Sequence, residues 1–305
     1  MRDAFVRALT EVAGRDDRVV FLTGDLGFRL FDDFAARFPG RFWNVGVAEA
    51  TMASVAAGLA LEGKKPFVYS IVPFVTMRCF EQVRNDICYH EADVVLVGVG
   101  GGYAYGLNGP THHGVEDIAL MRALPNMKVV CPADPLEASA AVHALARERG
   151  PAYLRLGRAG EPRIHETPPD FRLGKALVLR EGSDLALLSC GPIAAVGLEA
   201  AERLAGAGVS VRVVSMPTVK PLDTECVLEA AERFRAVATL EEHTTLGGFG
   251  SAVAEVLAEA GIRIPFRRFG TADRFCSLCG DQTTLRRANG LDAEGLSTAL
   301  LELLR

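Results

Sequence analysis

Asn44-Val45-Gly46-Val47-Ala48-Glu49-Ala50-Thr51-Met52 sets one carboxylate, Glu49, at the start of an otherwise apolar helical run that continues to Leu61. Two readings stand side by side. A Glu in a first helical turn is favoured by the helix dipole alone. A carboxylate that turns toward apolar neighbours must instead be paired, protonated or put to chemical use. Ala50, Ala53, Ala56, Ala57, Gly58 and Ala60 make the helix small-sided, so that another backbone can approach it closely, within the chain or across a subunit interface. Gly63 closes it.

Working outward, the flanking segments alternate between strand and helix. Ala4, Phe5, Ala8, Leu9 and Val12 fall at helical spacing, and Gly14 ends that opening helix. Residues 18–23 read as a buried strand, followed by the turn Gly24-Asp25-Leu26-Gly27 and a helix around Phe31, Phe34 and Phe38. After Gly63, the periodicity predicts a strand at 66–71, a helix over 74–87 and a Val-rich strand at 93–99. That last run is suited to a sheet covered on both faces. A Gly-, Tyr-, Asn- and His-rich loop then fills 100–114, longer than a simple connection requires. Strands at 127–131 and 152–156 flank a helix at 135–149, and this alternation implies right-handed crossovers in a parallel sheet.

From 161 to 174 the chain turns polar and carries Pro162, Pro168 and Pro169, which marks a linker. Beyond it a second pattern of the same kind predicts strands at 184–189, 209–214, 237–240 and 264–269, with helices at 194–205, 224–233 and 250–260. The expected architecture is therefore α/β with two parallel-sheet domains, residues 1–165 and 175–305, joined by a linker at 166–174.

Composition narrows the function classes. With 49% hydrophobic residues there is enough apolar material for two cores, while no run approaches the roughly 20 apolar residues of a membrane span. A net charge of −5 leaves no basic footprint for nucleic acid. The opening residues lack a secretory signal pattern, and the seven scattered cysteines suit a reducing compartment. The expectation is a cytoplasmic protein acting on small molecules or protein partners. Cys276 and Cys279 form one CxxC, which without a second pair reads as ordinary packing rather than a metal or redox site.

Three groups converge on the C-terminal edge of the first sheet, where open α/β sheets bind ligands. They are Glu49, then Phe74 with Arg78 one turn further on, and the segment Gly106-Leu107-Asn108-Gly109-Pro110-Thr111-His112-His113. Taken singly, Phe74 fits a core position and His112 a structural loop histidine. Together, a carboxylate, an aromatic plate and a histidine loop suit a planar nitrogen heterocycle.

Residues 44–61, Pro66-Phe67-Val68-Tyr69-Ser70 and Phe80-Glu81-Gln82-Val83-Arg84-Asn85-Asp86 resemble the pyrimidine-binding domain of transketolase-type thiamine diphosphate enzymes. Gly109-Pro110-Thr111-His112, Glu116-Asp117-Ile118-Ala119 and the run from Leu240-Glu241-Glu242-His243 to Gly250 extend the likeness over nearly the whole chain. The resemblance implies a pyrimidine-binding domain followed by the transketolase C-terminal domain. It implies that Glu49 bonds N1′ of the cofactor's aminopyrimidine and activates it, that Phe74 stacks on that ring, and that Asp25 and Arg78 lie near the cofactor. His112 would exchange protons with substrate hydroxyls. Arg158, with Asn108, His113 and Arg29, would contact substrate, the arginines through an anionic group.

The family's Gly-Asp-Gly sequence, which holds diphosphate and Mg²⁺, does not occur; Gly24-Asp25-Leu26 and Gly280-Asp281-Gln282 do not fit it. This places the diphosphate and metal on a separate N-terminal transketolase subunit, in an α2β2 heterotetramer acting on sugars. Asn108 stands where transketolases have Asp, Gly100-Gly101-Gly102 covers the position of a phosphate-contacting His, and Ala50 follows the glutamate where Gln or His is usual. These departures argue against ordinary pentose-phosphate chemistry. The leading expectation is transfer of a two-carbon ketol unit between a ketose and an aldose. The alternatives are a 1-deoxyxylulose-5-phosphate synthase-like condensation, a 2-oxo acid dehydrogenase β subunit, and a non-catalytic partner subunit.

Overall fold

A computed structural model describes residues 1–305. In chain order the first domain contains α1 (Arg2–Ala13), β1 (Val19–Thr23), α2 (Asp32–Arg37), β2 (Phe42–Asn44), α3 (Glu49–Leu61) and β3 (Lys65–Ile71). A composite helix follows, with the short α4 (Phe80–Gln82) between π-helical turns at Phe74–Arg78 and Val83–Cys88. Then come β4 (Val95–Val99), α5 (Asp117–Ala123), β5 (Lys128–Val130), α6 (Pro135–Arg147) and β6 (Ala152–Leu156). The second domain contributes β7 (Leu177–Arg180), β8 (Leu185–Cys190), α7 (Ala194–Ala205), β9 (Val211–Ser215), β10 (Thr218–Lys220), α8 (Thr224–Arg233) and β11 (Ala236–Thr244). It ends with α9 (Phe249–Glu259), β12 (Phe266–Thr271), α10 (Gln282–Ala288) and α11 (Ala293–Leu303).

The first sheet runs β10-β5-β6-β4-β3-β1-β2 and the second β12-β11-β8-β9-β7. Every pairing is parallel except β10 with β5 and β7 with β9. The expected α/β architecture of two parallel-sheet domains is found, and each sheet carries in addition one antiparallel edge strand. Both edge strands escape the periodicity reading because they are short: β7 has four residues, with Val178 exposed, and β10 has three. The interior strands follow the reading closely, with β1, β4 and β6 buried at every position, as parallel strands sandwiched between helices must be. The helix expected over 74–87 is corrected to the π–α–π composite, a departure that lies at the candidate site.

The second domain's β10 completes the first domain's sheet, so the boundary in the chain is not a boundary in space. Lys220 Nζ reinforces the crossing by donating to the carbonyls of Arg122 at 3.1 Å and Leu124 at 2.6 Å. One apolar cluster includes Met52, Leu96 and Met121 from the first domain with Leu188, Val237 and Phe249 from the second. Shared burial of this kind makes the two domains one cooperative body rather than two beads on a string.

The polar segment 161–174 is tied down. Asp134 caps α6 through Oδ1, accepting the N–H groups of Leu136 and Glu137, and its Oδ2 accepts those of Ile164 and His165. His165 Nε2 meets the buried Glu137 Oε1 at 2.8 Å, and Glu137 Oε2 accepts from Ser215 on β9 at 3.1 Å. The hydrogen bond to Glu137 raises the His165 pKa above its ordinary value. A raised histidine stabilises the fold fully below the unfolded value of about 6.5, and that contribution is lost as pH rises through the folded value. The urea midpoint should therefore fall more between about pH 6 and about pH 8 for the wild type than for His165→Gln. Parallel pH dependences in urea melts of the two proteins would contradict this.

Candidate active site

Because β1, β3, β4 and β6 are parallel, their C-terminal ends meet at one edge, and the connections leaving that edge carry the residues singled out in the sequence. Asp25 follows β1, Glu49 opens α3 after β2, Phe74 and Arg78 follow β3, the 100–114 loop follows β4, and Arg158 follows β6. Asp25 has φ of +57° and is locked to Asn44 in both directions. Its N–H donates to Asn44 Oδ1 at 3.0 Å, and Asn44 Nδ2 donates to its Oδ1 at 2.9 Å. This clamp holds the turn after β1 beside the start of α3, where Gly24 lies close enough to Glu49 that a Cβ would sit 3.3 Å from Oε1.

Glu49 is 1% exposed, so the dipole reading alone does not account for it. Each carboxylate oxygen has a partner. Ser70 Oγ donates to Oε1 at 3.1 Å, and Arg78 Nη1 donates to Oε2 at 2.7 Å. The Arg78 guanidinium also lies 4.2 Å over the Phe74 ring, a cation–π contact. Phe74 and Arg78 belong to the same π-helical turn. The ring of His112 meets Phe74 edge-on at 5.2 Å. Glu49, Arg78, Phe74 and His112 are thus one contiguous group, brought together from three connections.

His112 is half-buried and its Nδ1 is engaged with Thr111 Oγ1 at 2.9 Å. Burial, with His113 and Arg78 nearby, lowers its pKa and favours the neutral ring near pH 7. Tyr105, which the sequence reading passes over, meets His112 at 6.3 Å and lies under Arg158 at 5.1 Å. It extends the group to Arg158. His113 points the other way: its Nε2 lies 3.2 Å from the Gly106 carbonyl and its ring packs edge-on against buried Tyr103 at 5.0 Å. Asn108 is exposed on the 3-10 turn Gly106–Asn108. Arg29 is exposed at φ +66°, with no hydrogen bond or ion pair to the others.

The glycines at 100–102 have a packing role that composition does not disclose. A Cβ at Gly100 would strike the Tyr105 ring, one at Gly101 would strike the Arg155 guanidinium, and one at Gly102 the Glu242 carboxylate. The loop is held from below by Arg155, whose Nη2 donates to the Gly114 carbonyl at 2.7 Å and to the Glu242 carbonyl at 3.0 Å. The Leu240–Gly250 run turns out to be a strap between domains. Glu241 accepts the N–H groups of Phe249 at 2.7 Å and Gly250 at 2.8 Å, and burial pushes its pKa up to about 7. Glu242 accepts the Tyr103 N–H at 3.0 Å and pairs with Arg286 at 2.6 Å, while His243 Nε2 accepts from Ala119 at 3.3 Å. A cleft of about 490 Å³ on the domain seam is lined by Val115, Glu116, Thr244, Thr271 and Arg274, and none of the Glu49 group lines it.

The residues present suit the aminopyrimidine half of thiamine diphosphate: a buried carboxylate to bond it and an aromatic face one planar group away. No group of three or more His, Cys, Asp or Glu side chains is placed to hold a metal ion, and Cys276 and Cys279 are free thiols.

A pyrimidine-binding domain of the thiamine enzymes is thus the class that the fold and this edge define, and the comparisons agree. Residues 1–161 match the family model for the transketolase pyrimidine-binding domain, and residues 174–296 match that for the transketolase C-terminal domain. The chain belongs to the transketolase family, whose members depend on thiamine diphosphate. Within it, the chain is 41% identical over 304 residues to the 6-deoxy-6-sulfo-D-fructose transketolase subunit SqwH of Clostridium sp. (strain MSTE9), covering 99% of this chain and 94% of that one. It is 38% identical to an apulose-4-phosphate transketolase subunit of Actinobacillus succinogenes, covering 88% of this chain and 87% of that one. The solved structure titled as a split gene transketolase, inactive beta4 tetramer, superimposes with a TM-score of 0.92 at 40% identity, covering 99% of this chain and 97% of that one.

Proposed function

We propose that this chain is the pyrimidine-side subunit of a two-chain, cytoplasmic transketolase that moves a two-carbon ketol unit from a ketose to an aldose. A partner N-terminal subunit holds the diphosphate and Mg²⁺, in an α2β2 assembly. The observation that carries the reading is Glu49, a fully buried carboxylate whose one charged partner is a planar group lying on Phe74. When bound, thiamine diphosphate would supply an acidic thiazolium C–H whose deprotonated carbon is nucleophilic toward a ketose carbonyl. Glu49 holds the proton at the pyrimidine's N1′ edge, Phe74 supports the ring, and Asp25 fixes the adjacent turn through Asn44. His112, neutral and free at Nε2, is suited to exchange protons with substrate hydroxyls. Arg158, steadied on Tyr105, offers a fork to an anionic group, with Asn108 and Arg29 in the surrounding loops, whereas His113 is turned inward onto Tyr103 and packs beneath the loop.

Co-expression with the product of the neighbouring gene, followed by a thiamine diphosphate-dependent ketol-transfer assay, tests this. The donor panel should include 6-deoxy-6-sulfo-D-fructose and apulose 4-phosphate, with glyceraldehyde 3-phosphate as acceptor. Pyruvate as a donor would reveal a 1-deoxyxylulose-5-phosphate synthase-like activity. Ketol transfer without a second chain, or none by the assembled pair, would refute the proposal. Asn108→Asp is expected to shift the ratio of kcat/KM between donors by about tenfold, the scale of one hydrogen bond to a substrate hydroxyl. An unchanged ratio would remove Asn108 from donor selection.

A further inference from the structure

Glu49 and Phe74 are held at a spacing that one planar group spans, and in this chain that group is the guanidinium of Arg78. It does two things at once, bonding Glu49 Oε2 at 2.7 Å and lying 4.2 Å over the Phe74 ring. These are the two contacts required of an aminopyrimidine at the same place: an in-plane hydrogen bond to the carboxylate and a face on the aromatic. Ser70 engages Oε1, and a ring lying on Phe74 and bonded to Oε2 would need the space that the guanidinium fills. Ring and guanidinium therefore compete for one slot.

We propose that Arg78 is an internal stand-in for the cofactor's aminopyrimidine ring, filling its place until the cofactor displaces it. The inference rests on the thiamine diphosphate reading above. Its physical motive is the cost of the alternative. A carboxylate as buried as Glu49, folded with no cation beside it, would be left uncompensated in a low-dielectric surrounding. Arg78 supplies the compensation. Its own side chain is 43% exposed against 1% for Glu49, so it can swing into solvent and recover hydration while Glu49 and Phe74 stay where they are. Its position in a π-helical turn gives it a wider backbone loop than an α-turn and sets its stem over its neighbour Phe74. The cofactor must pay for this displacement, so its apparent affinity is reduced by the fraction of chains in which Arg78 occupies the slot.

Two titrations test it by calorimetry. The full chain is titrated with the free, uncharged hydroxymethyl-aminopyrimidine half of thiamine, and the assembled two-subunit complex with thiamine diphosphate and Mg²⁺. Arg78→Met keeps the apolar stem and removes the planar cation, and should bind both probes at least about tenfold more tightly than wild type. Its melting temperature without ligand should be lower, because Glu49 loses its cation. Arg78→Lys keeps a charge for Glu49 and has no plane to lay on Phe74, so its affinities should fall between those two. Equal or weaker binding by Arg78→Met would overturn the proposal and make Arg78 a residue that holds the cofactor. A liganded structure with the Arg78 guanidinium still between Phe74 and Glu49 would also overturn it. If the assembled wild-type complex does not bind thiamine diphosphate at all, the cofactor reading falls first and the stand-in with it.

Discussion

Glu49→Gln in the assembled enzyme is expected to lower kcat for ketol transfer by about a thousandfold, the scale of losing a positioned proton-transfer group. The substitution preserves the side chain's volume and an oxygen that can still accept from Ser70. What it removes is the ability to carry a proton between a carboxyl oxygen and the pyrimidine. It also removes the charge that holds Arg78 in the slot, so thiamine diphosphate affinity should be kept or improved rather than lost. The signature is a split: kcat collapses while cofactor binding, read by calorimetry, does not weaken. A fall in kcat smaller than about tenfold would show that Glu49 is not the group that activates the cofactor. A parallel loss of binding would make its role one of attachment. Glu49→Ala is a poorer probe, because it opens a cavity beside Gly24 and leaves Ser70 without its acceptor.

Much of this site can be read in the sequence because the chemistry travels with local pattern. Glu49 is legible as a carboxylate heading an apolar helix, Phe74 as the aromatic just past a strand, and His112 as part of a loop too long to be a mere connection. Their convergence follows from parallel strands, which bring successive loops to one edge. Arg78 is legible as a neighbour of Phe74 one turn on, but its bond to Glu49 is not. That bond joins segments far apart in sequence, and the π-helical turn that carries Arg78 is itself hidden from apolar periodicity, which does not distinguish a π turn from an α turn. His112 and His113 are neighbours in sequence with opposite fates, one facing Phe74 and the other buried on Tyr103. No local pattern separates them. The triple glycine at 100–102 reads in the sequence as the loss of a substrate contact, and its positive content, room for Tyr105, Arg155 and Glu242, exists only in three dimensions. The same holds for β10, whose three residues become a strand because an edge from the other domain is waiting for them.

The buried network beneath the histidine loop carries the largest expected effect on stability. Arg155 is 2% exposed and Asp117 fully buried. Arg155 Nε donates to Asp117 Oδ2 at 2.8 Å, and the Tyr153 hydroxyl donates to the same oxygen at 2.7 Å. Arg155 Nη2 donates to the carbonyls of Gly114 and Glu242, so one guanidinium joins α5, the end of the 100–114 loop and the second domain's strap. Arg155→Met fills much of the volume and strands Asp117 in the core with a single neutral partner. Removing one member of a buried ion pair costs about 3–5 kcal/mol, and in a cooperative body of this size the melting temperature should fall by roughly 10 °C. Adding Asp117→Asn takes away the uncompensated charge and should return part of the loss, a coupling that a double-mutant cycle measures directly. Melting within about two degrees of the wild type for Arg155→Met would show that the network is not holding the domains together. Because Gly114 lies two residues from His112, the loosened loop should also raise KM for substrate while leaving thiamine diphosphate bound, which separates this effect from the loss of Glu49.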